Sequence, residues 1–270
     1  MKVARTIADV RRAVAARHRG ARVGLVPTMG ALHDGHASLM RRARAESDEV
    51  VASIFVNPRQ FNDPADLARY PRTEQGDAEI AAAAGVDLLF IPGADEVYPS
   101  DDATTIEMGG PAMGFEGQHR PGHFNGVALV CLKLFCLAEP DVVYLGQKDA
   151  QQVAVIKQLV HDVNLDLEIR VGPTVRDHDG VALSSRNARL STSERRHAQA
   201  IPRALRTALE AHRAGHDPVA SARAALAGLD VEYVAVAEFD REPTLVIAAK
   251  VGSTRLIDNV PLERPELAGL

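Results

Sequence analysis

The chain has 270 residues, of which 46% are hydrophobic and 25% are charged, and its formal net charge is −5 at pH 7. This length suits one large domain, or one domain with a smaller companion, and the composition is that of a globular protein. The negative net charge gives no sign of the basic surface that nucleic-acid-binding proteins need, so any polyanion must be met locally. No apolar run reaches the roughly 20 residues that span a bilayer. We therefore expect neither a nucleic acid nor a membrane among the partners.

The first residues, MKVARTIADVRRAVAARHRG, predict a strand start and then a basic amphipathic helix, without the apolar core of a signal peptide. Cys131 and Cys136 lie in an apolar run that is predicted to be helical. Five residues turn a helix by about 500°, so the two thiols point in different directions and a disulfide between them is not expected. We predict two buried thiols, no metal site at them, and a cytoplasmic location.

Short apolar runs alternate with helical patterns up to about residue 187. The predicted strands are residues 23–27, 50–56, 87–91, 142–145 and 167–171, and the predicted helices lie near 36–47, 74–84, 125–138 and 149–161. The strands are continuous apolar runs, as a parallel sheet buried on both faces requires. The alternation predicts an α/β fold with a doubly wound, Rossmann-like parallel sheet, in which ligands lie beyond the carboxyl ends of the strands. Two long segments rich in Gly, Pro and polar residues, 57–73 and 109–125, are predicted to be loops, and loops of this length are usually functional or disordered.

The pattern changes after residue 187. Ser191 and Glu194 form a capping-box pattern at the start of a helix predicted over about 192–213, and Pro202 predicts a kink in it. A further helix follows Pro218, and strands are predicted at 231–239, 244–251 and 254–260. Helices followed by consecutive strands indicate a small α+β domain with an antiparallel sheet. We predict two domains, residues 1–187 and residues 188–270.

The strongest local motif is PTMGALHDGH at residues 27–36, where a predicted strand turns through His33 and His36 into a helix. Gly30 and Gly35 permit close backbone approach, and a helix N-terminus offers N–H groups and the positive end of its dipole. A phosphate chain could rest there and accept hydrogen bonds from both imidazoles. An ordinary turn with two solvent-facing histidines remains an alternative. A metal site is a weaker alternative, because no third ligand stands nearby.

Two more polar clusters follow predicted strands. In the first, residues 146–149, Lys148 suits phosphate and Asp149 suits a ribose hydroxyl, although an ordinary strand–helix junction capped by Asp149 gives the same pattern. In the second, residues 183–186 together with Arg176 could hold the β- and γ-phosphates, although a serine-rich linker is the alternative. Three such clusters together favour a nucleotide site, and the chain contains neither GxxxxGK[ST] nor GxGxxG.

With these residues in place, the chain resembles the pantothenate synthetase (pantoate–β-alanine ligase) family along nearly its full length. PTMGALHDGH, NPRQF, HRPGHFNGV, GQKDAQQ and DGVALSSRN occur in that order. The first is similar to the HIGH motif of the nucleotidylyltransferase superfamily, and GQKD and SSRN are similar to its lysine-bearing phosphate loop. The resemblance implies that ATP and pantoate give pantoyl-adenylate and pyrophosphate, with Mg²⁺ on the phosphates, and that β-alanine then displaces AMP.

The resemblance also assigns roles to residues. It implies His36 as the catalytic histidine, with His33 and Lys148 acting beside it, and it matches Gln60 and Gln152 to the glutamines that bind pantoate. The implied ATP-binding set is Met29, Gly30, Ala31, Leu32, His33, Asp34, Gly35, His36, Gly146, Gln147, Lys148, Asp149, Val175, Leu183, Ser184, Ser185 and Arg186. Arg120 and His123 are assigned supporting roles. The Mg²⁺ ligands are not assigned, since ATP oxygens and water can hold the metal.

The family further implies that the C-terminal domain is a lid and that the protein is a homodimer. The family often has Glu where this chain has Gln147, and losing that carboxylate would leave Lys148 freer for phosphate. Two other functions remain open. A nucleotidyl transferase acting on a phosphorylated acceptor would need basic residues, whereas Gln60 and Gln152 suit an uncharged hydroxyl-bearing acceptor. A nucleotide sensor without turnover would not need the histidines, Lys148 and the Ser-Ser-Arg cluster together.

Overall fold

The computed structural model describes residues 1–239 and 241–270. The first part of the chain contains β1 (Lys2–Ala4), α1 (Ile7–Ala15), β2 (Val23–Thr28), α2 (Asp34–Glu46), β3 (Glu49–Ile54), α3 (Pro64–Ala68), α4 (Glu74–Ala83), β4 (Leu88–Phe90), α5 (Ala94–Val97), α6 (Phe115–His119), α7 (His123–Ala138), β5 (Val142–Gly146), α8 (Ala150–Asp162) and β6 (Glu168–Gly172). Every strand and helix predicted in this part is present, with bounds shifted by a few residues.

The two segments predicted to be loops each contain a short helix. In the first, Asp63 caps α3 by accepting the N–H of Ala65, and Pro64 occupies the first helical position, where its missing N–H costs nothing. In the second, α6 begins after Gly114, whose φ is +72°. The sequence prediction passed over both helices because each has only five residues, too few to show a helical period.

Six strands form one sheet in the order β1-β4-β3-β2-β5-β6. The pairings of β1 with β4, β4 with β3, and β2 with β3 and β5 are parallel, and helices cover both faces, which confirms the predicted doubly wound sheet. Val26 pairs with Ala52 and Leu25 pairs with Val143, and all four are fully buried. Because β2 and β3 are parallel neighbours, the segments that follow them leave the sheet at the same edge.

The C-terminal part contains α9 (Thr192–Ala198), α10 (Ala200–Arg213), α11 (Pro218–Ala225), β7 (Asp230–Phe239), β8 (Glu242–Val251) and β9 (Thr254–Pro261). The strands form an antiparallel sheet in the order β7-β8-β9, which confirms the predicted α+β character. The helix predicted over 192–213 is two helices that break at Gln199. Pro202 lies in the first turn of α10, where its ring is tolerated, so the proline marks the restart of the helix.

By packing, the chain divides into two compact units, one of residues 1–145 and 151–170 and the other of residues 146–150 and 171–270. Residues 171–187 therefore pack with the second unit, whereas the sequence placed them in the first domain. The reason is that Arg176 forms an ion pair with Asp258, and Thr174 donates its N–H to Leu267. The functional assignment of residues 1–187 to substrate binding and of residues 188–270 to a lid stays a prediction.

Both cysteines lie on α7, and the structure corrects the prediction for one of them. Cys131 is buried and burial raises the pKa of its thiol to about 12, whereas Cys136 is exposed. The apolar character of the sequence did not reveal that one face of α7 is exposed to solvent near its C-terminal end, where Cys136 lies. In the part of the chain that the structure describes, no helix combines the length and the apolar character that crossing a membrane requires.

A bidentate ion pair ties the turn before Val181 to α9. Arg195 donates to both carboxylate oxygens of Asp179, at 2.6 and 2.8 Å, and to Asp177 at 2.8 Å. The Arg195 guanidinium lowers the pKa of Asp179 from 3.8 to about 2, against the opposing effect of burial, and the Val181 N–H adds to the lowering. A carboxylate whose pKa is lowered by folding stabilises the fold above its unfolded pKa, and this contribution is lost as the pH falls towards 2.

We predict that the stability difference between the wild type and Asp179→Asn depends on pH. The free energy of unfolding of the wild type should exceed that of the variant at pH 7, and this difference should shrink by about 1 to 2 kcal/mol between pH 6 and pH 2.5. Urea denaturation across this range measures it, with the exposed Asp166→Asn as a charge-matched control. A difference that is the same at every pH would contradict the prediction.

Candidate functional site

The loop between β2 and α2 carries the first predicted cluster, and its two histidines cap the helix. His33 is the N-cap of α2, and its Nδ1 accepts the N–H of Gly35 at 3.2 Å. The Nδ1 of His36 in turn accepts the N–H of His33 at 3.3 Å. The two bonds form a reciprocal capping box in which imidazoles replace the usual hydroxyl and carboxylate.

These bonds decide where the histidine protons lie. A neutral imidazole has one acceptor nitrogen and one N–H, so an accepting Nδ1 leaves the proton on Nε2 in both His33 and His36. The two rings touch, with centroids 4.1 Å apart and planes inclined by 37°. Two Nε2–H donors are therefore held on adjoining rings at the N-terminus of a helix, where the dipole also attracts anions.

Asp77 of α4 binds the backbone of the same loop. Its Oδ2 accepts the N–H of Ala31 at 2.9 Å, and its Oδ1 accepts the N–H of Leu32 at 2.8 Å and the hydroxyl of Thr73 at 3.0 Å. The residue is only 2% exposed. Hydrogen bonds to a buried carboxylate are among the stronger ones in proteins, so Asp77 fixes the path of the chain just before His33.

The loop needs this support because two of its residues lie in the left-handed region. Gly30 has a φ of +81° and Ala31 a φ of +50°, a conformation that costs a residue with a Cβ about 1 to 2 kcal/mol. A Cβ on Gly30 would lie 2.9 Å from a methyl group of Ile54 and 3.0 Å from Oδ2 of Asp77. Sequence reasoning missed Asp77, since an acidic residue in the first turn of a helix is an ordinary feature.

Gln60, predicted to bind pantoate, is 7% exposed and is held by buried neighbours. Asn57 donates to its Oε1 at 3.0 Å, and Tyr98 donates to Oδ1 of Asn57 at 3.0 Å. The Nε2 of Gln60 donates to the Sδ of Met29 at 2.9 Å. The structure thus brings a residue of the predicted pantoate set into contact with a residue of the predicted ATP set.

Arg120 and His123 hold the backbone of Gln60. Arg120 donates to the carbonyl oxygen of Gln60 at 3.1 Å, and Nδ1 of His123 donates to the same oxygen at 2.8 Å. At Gly126 a Cβ would stand 2.2 Å from the carbonyl oxygen of Arg59, so α7 can pass this closely only with glycine there. This geometry agrees with a supporting role for both side chains.

Gln152 lies partly buried in the first turn of α8, and its neighbour Gln151 has a function that the sequence did not reveal. The Nε2 of Gln151 donates to the carbonyls of Pro111 and Gly114 at 3.0 and 3.2 Å, and its Oε1 accepts the N–H of Glu116 at 3.0 Å. Gln151 therefore anchors the loop ahead of α6. In the sequence, the adjacent pair Gln151 and Gln152 was the feature that could have drawn attention to this role.

The other two predicted clusters lie in the second unit. Lys148 is 20% exposed, and its Nζ lies 3.6 Å from the carboxylate of Asp149 within a 3-10 turn, Gln147–Asp149, that follows β5. The predicted residues Val175 and Leu183 are brought together, because the N–H of Leu183 donates to the carbonyl of Val175 at 2.9 Å.

The 3-10 turn Ser185–Arg189 begins directly after this pairing, and Ser184 caps it by accepting the N–H of Arg186 at 3.3 Å. The backbone of Arg176, which the sequence grouped with these residues, pairs with Ala182 beside them, but its side chain has other partners. Its guanidinium donates to both oxygens of Asp258 at 2.7 and 3.0 Å, and the two side chains are 5% and 3% exposed. The prediction that Arg176 holds phosphate is wrong, because Asp258 neutralises its charge in a buried pair.

The structure offers no protein cluster for a metal in its described ranges. Across residues 1–239 and 241–270, no group of three or more His, Cys, Asp or Glu side chains is arranged to hold a metal ion. At the histidine pair, both Nδ1 atoms already accept backbone N–H groups, so in the neutral rings each Nε2 carries the proton and offers no lone pair to a metal.

Comparison with known proteins decides the family. A family model described as Pantoate-beta-alanine ligase matches residues 2–261. The chain belongs to the pantoate-β-alanine ligase family. A pantothenate synthetase of Cereibacter sphaeroides is 48% identical over 276 positions, which cover 96% of this chain and 99% of the relative.

Solved structures of the pantoate-β-alanine ligase family have the same fold. The crystal structure of pantothenate synthetase from Thermus thermophilus superposes with a TM-score of 0.91 at 40% identity, covering 97% of this chain and 99% of the other. The pantoate-beta-alanine ligase from Francisella tularensis, complexed with beta-gamma ATP and beta-alanine, gives a TM-score of 0.85 at 38% identity, covering 97% and 98%. The chain is therefore an enzyme of the ligase class, as its motifs indicated.

We predict that Asp77→Asn weakens both the fold and the activity of this ligase. The variant keeps the size of the side chain but turns an amide N–H towards the backbone N–H of Ala31 or Leu32. The free energy of unfolding should fall by about 1 to 3 kcal/mol, and kcat/KM for ligation should fall by about tenfold or more, because the histidine loop shifts. Urea denaturation and steady-state kinetics measure the two effects. Glu79→Gln, at an exposed position of α4, is the control, and a variant like wild type in both would refute the role.

Proposed function

We propose that this ligase makes pantothenate from pantoate and β-alanine through a pantoyl-adenylate, while ATP is converted to AMP and pyrophosphate. The contact between Gln60 and Met29 supports this most directly, since Nε2 of Gln60 lies 2.9 Å from Sδ of Met29. Met29 belongs to the loop that carries His33 and His36. An acid bound by Gln60 and a phosphate bound at the N-terminus of α2 would therefore be neighbours, as a direct attack requires.

In the first step, a carboxylate oxygen of pantoate attacks the α-phosphorus of ATP. A new oxygen–phosphorus bond forms, the bond from that phosphorus to the bridging oxygen breaks, and pyrophosphate leaves with the electron pair. Negative charge builds on the other α-phosphate oxygens. The Nε2–H groups of His33 and His36 donate to these oxygens from positions already fixed by the helix cap, so little reorganisation is needed. His36 is the proposed catalytic residue, with His33 beside it.

Residues outside the histidine loop bind the rest of ATP in this proposal. Lys148, within the set 146–149, supplies a mobile positive charge for the phosphates. Ser184, Ser185 and Arg186 supply hydroxyls and a guanidinium, whose planar donors suit two phosphate oxygens at once. Val175 and Leu183 hold the start of this segment through their backbone bond at 2.9 Å. Neutralising the departing pyrophosphate makes it a better leaving group.

In the second step, the amine of β-alanine attacks the acyl carbon of the adenylate. A carbon–nitrogen bond forms, the bond from the acyl carbon to the phosphate oxygen breaks, and AMP leaves while the amine loses a proton to solvent. Gln60 and Gln152 bind the hydroxyl-bearing acid, because amides both donate to and accept from hydroxyls. The adenylate is sensitive to water, so the domain of residues 188–270 is proposed to act as a lid.

Mg²⁺ is proposed to enter with ATP. It would be held mainly by phosphate oxygens and water, which fits a chain whose described residues lack a three-ligand cluster. The metal would neutralise phosphate charge as pyrophosphate departs. The homodimer and the cytoplasmic location stay predictions that rest on the family resemblance.

We predict that purified protein releases pyrophosphate from ATP only when pantoate and Mg²⁺ are present, and that the first turnover does not need β-alanine. The adenylate forms before the amine reacts, so a single-turnover assay with and without each substrate tests the order. Pantoate-independent release, or no release, would overturn the proposal. Release that requires a phosphorylated acceptor instead would identify a nucleotidyl transferase.

We predict that two replacements of His36 separate the roles of its nitrogens. His36→Asn keeps an acceptor near Nδ1 and removes the Nε2 donor, so its free energy of unfolding should stay within about 0.5 kcal/mol of wild type while kcat falls at least about 10²-fold. His36→Gln extends a longer amide whose N–H can reach the position of Nε2, so it should keep more of kcat than His36→Asn. Its free energy of unfolding should also stay within about 1 kcal/mol of wild type, because glutamine serves as the acceptor at this position of a capping box.

Thermal or urea denaturation together with kcat measurements tests both variants. His36→Ala lacks both groups and should lose both stability and kcat. An Asn variant more active than the Gln variant would mean that Nδ1, rather than Nε2, acts on the substrate.

A further inference from the structure

Asn259, a residue of β9 that no motif singled out, binds the loop that carries Lys148. Its Nδ2 donates to the carbonyl oxygen of Gln147 at 3.0 Å and to that of Lys148 at 2.9 Å. Its Oδ1 accepts the Nε2–H of the Gln147 side chain at 3.0 Å. A single side chain thus holds two successive carbonyls and one side chain of a segment that is 111 residues away in the chain.

These bonds use both N–H groups of the Asn259 amide and one acceptor position of its oxygen. An asparagine amide has two N–H groups, and both are given to backbone carbonyls. The pattern also fixes which end of the amide is nitrogen, because only an N–H can serve two carbonyl oxygens. Asn259 is 3% exposed and Gln147 is 7% exposed, so water cannot readily replace a lost bond.

The strand that carries Asn259 is itself fixed. The backbone N–H of Asn259 donates to Oδ1 of Asp258 at 2.9 Å, and Asp258 is held by the buried ion pair with Arg176. Val260, the next residue of β9, is fully buried in the core of the second unit. Asn259 therefore projects from a rigid position, as a group that must orient a mobile lysine should.

We propose that Asn259 is a positioning residue, which sets the backbone of Gln147 and Lys148 so that the ammonium group of Lys148 meets the ATP phosphates. The proposal rests on the role of Lys148 proposed above. Gln147 takes part through the bond from its side chain to Asn259. Two hydrogen bonds to adjacent carbonyls fix the orientation of the peptide between them, and the direction in which the Lys148 side chain leaves the backbone follows from that orientation.

Two variants test the inference. Asn259→Asp has the same shape, but it places a carboxylate oxygen against the two carbonyls. Asn259→Ala removes all three side-chain bonds. In both we expect the KM for ATP to rise about tenfold or more, with the KM for pantoate changed less than about twofold, because a small displacement of a phosphate-binding group weakens ATP binding first.

Val260→Ala is the matched control. It removes buried methyl groups from the same strand and lowers Tm, and it should leave the KM for ATP within about twofold of wild type. Should Asn259→Asp fail to fold, Asn259→Ser, which keeps one donor, takes its place in the series.

The decisive measurement repeats Asn259→Ala in a Lys148→Ala background. If Asn259 acts through Lys148, the second substitution should add less than about a threefold loss in kcat/KM for ATP, because the group that it positions is already gone. Equal losses in both backgrounds, or a KM for ATP that follows Tm in the Val260→Ala control as well, would overturn the proposal. Absence of pantoate-dependent pyrophosphate release in the wild type would instead overturn the proposed function, so the two failures are distinguishable.

Discussion

Three backbone N–H groups in the loop before α2 and one in its first turn must be satisfied, and three side chains do it: Asp77 accepts two of them, and His33 and His36 accept one each. A helix N-terminus always leaves such donors without partners inside the helix. Here the partners include both histidines of the motif, so the same hydrogen bonds satisfy the backbone and orient the imidazoles. Each ring turns its Nδ1 towards the helix backbone, and its Nε2–H is the group proposed to act on the α-phosphate.

The other groups that are proposed to bind substrates are oriented in a similar way, by buried polar side chains that come from other parts of the chain. Asn57 fixes the amide of Gln60 in the first unit, and Asn259 fixes the backbone around Lys148 in the second. An amide buried among partners has one satisfied orientation, and leaving it unsatisfied costs about 1 to 3 kcal/mol. Groups held in this manner are arranged before the substrate arrives, which is the condition for strong electrostatic stabilisation.

Much of this protein could be predicted from local pattern. Continuous apolar runs such as Val142–Gly146 indicated buried parallel strands, and the alternation with helices gave the doubly wound sheet. Less visible features were missed for physical reasons. The five-residue helices α3 and α6 are shorter than the period that reveals a helix. The predicted kink at Pro202 is a break at Gln199, because a proline fits best in the first turn of a new helix.

Short contiguous motifs are enough to establish the order of the elements, the family, and the residue types proposed to meet phosphate and a hydroxy acid. Which polar residues act together depends instead on the tertiary fold. Asp77 and Ala31 are 46 residues apart, and Asn259 and Gln147 are 112 apart, so no local spacing connects them. The same holds for Arg176. Its position in the sequence near the serines suggests a phosphate ligand, but in the structure it forms a buried ion pair with Asp258, which lies 82 residues later in the chain. Hydrogen bonds act over about 3 Å in space regardless of separation along the chain, and folding alone sets that proximity.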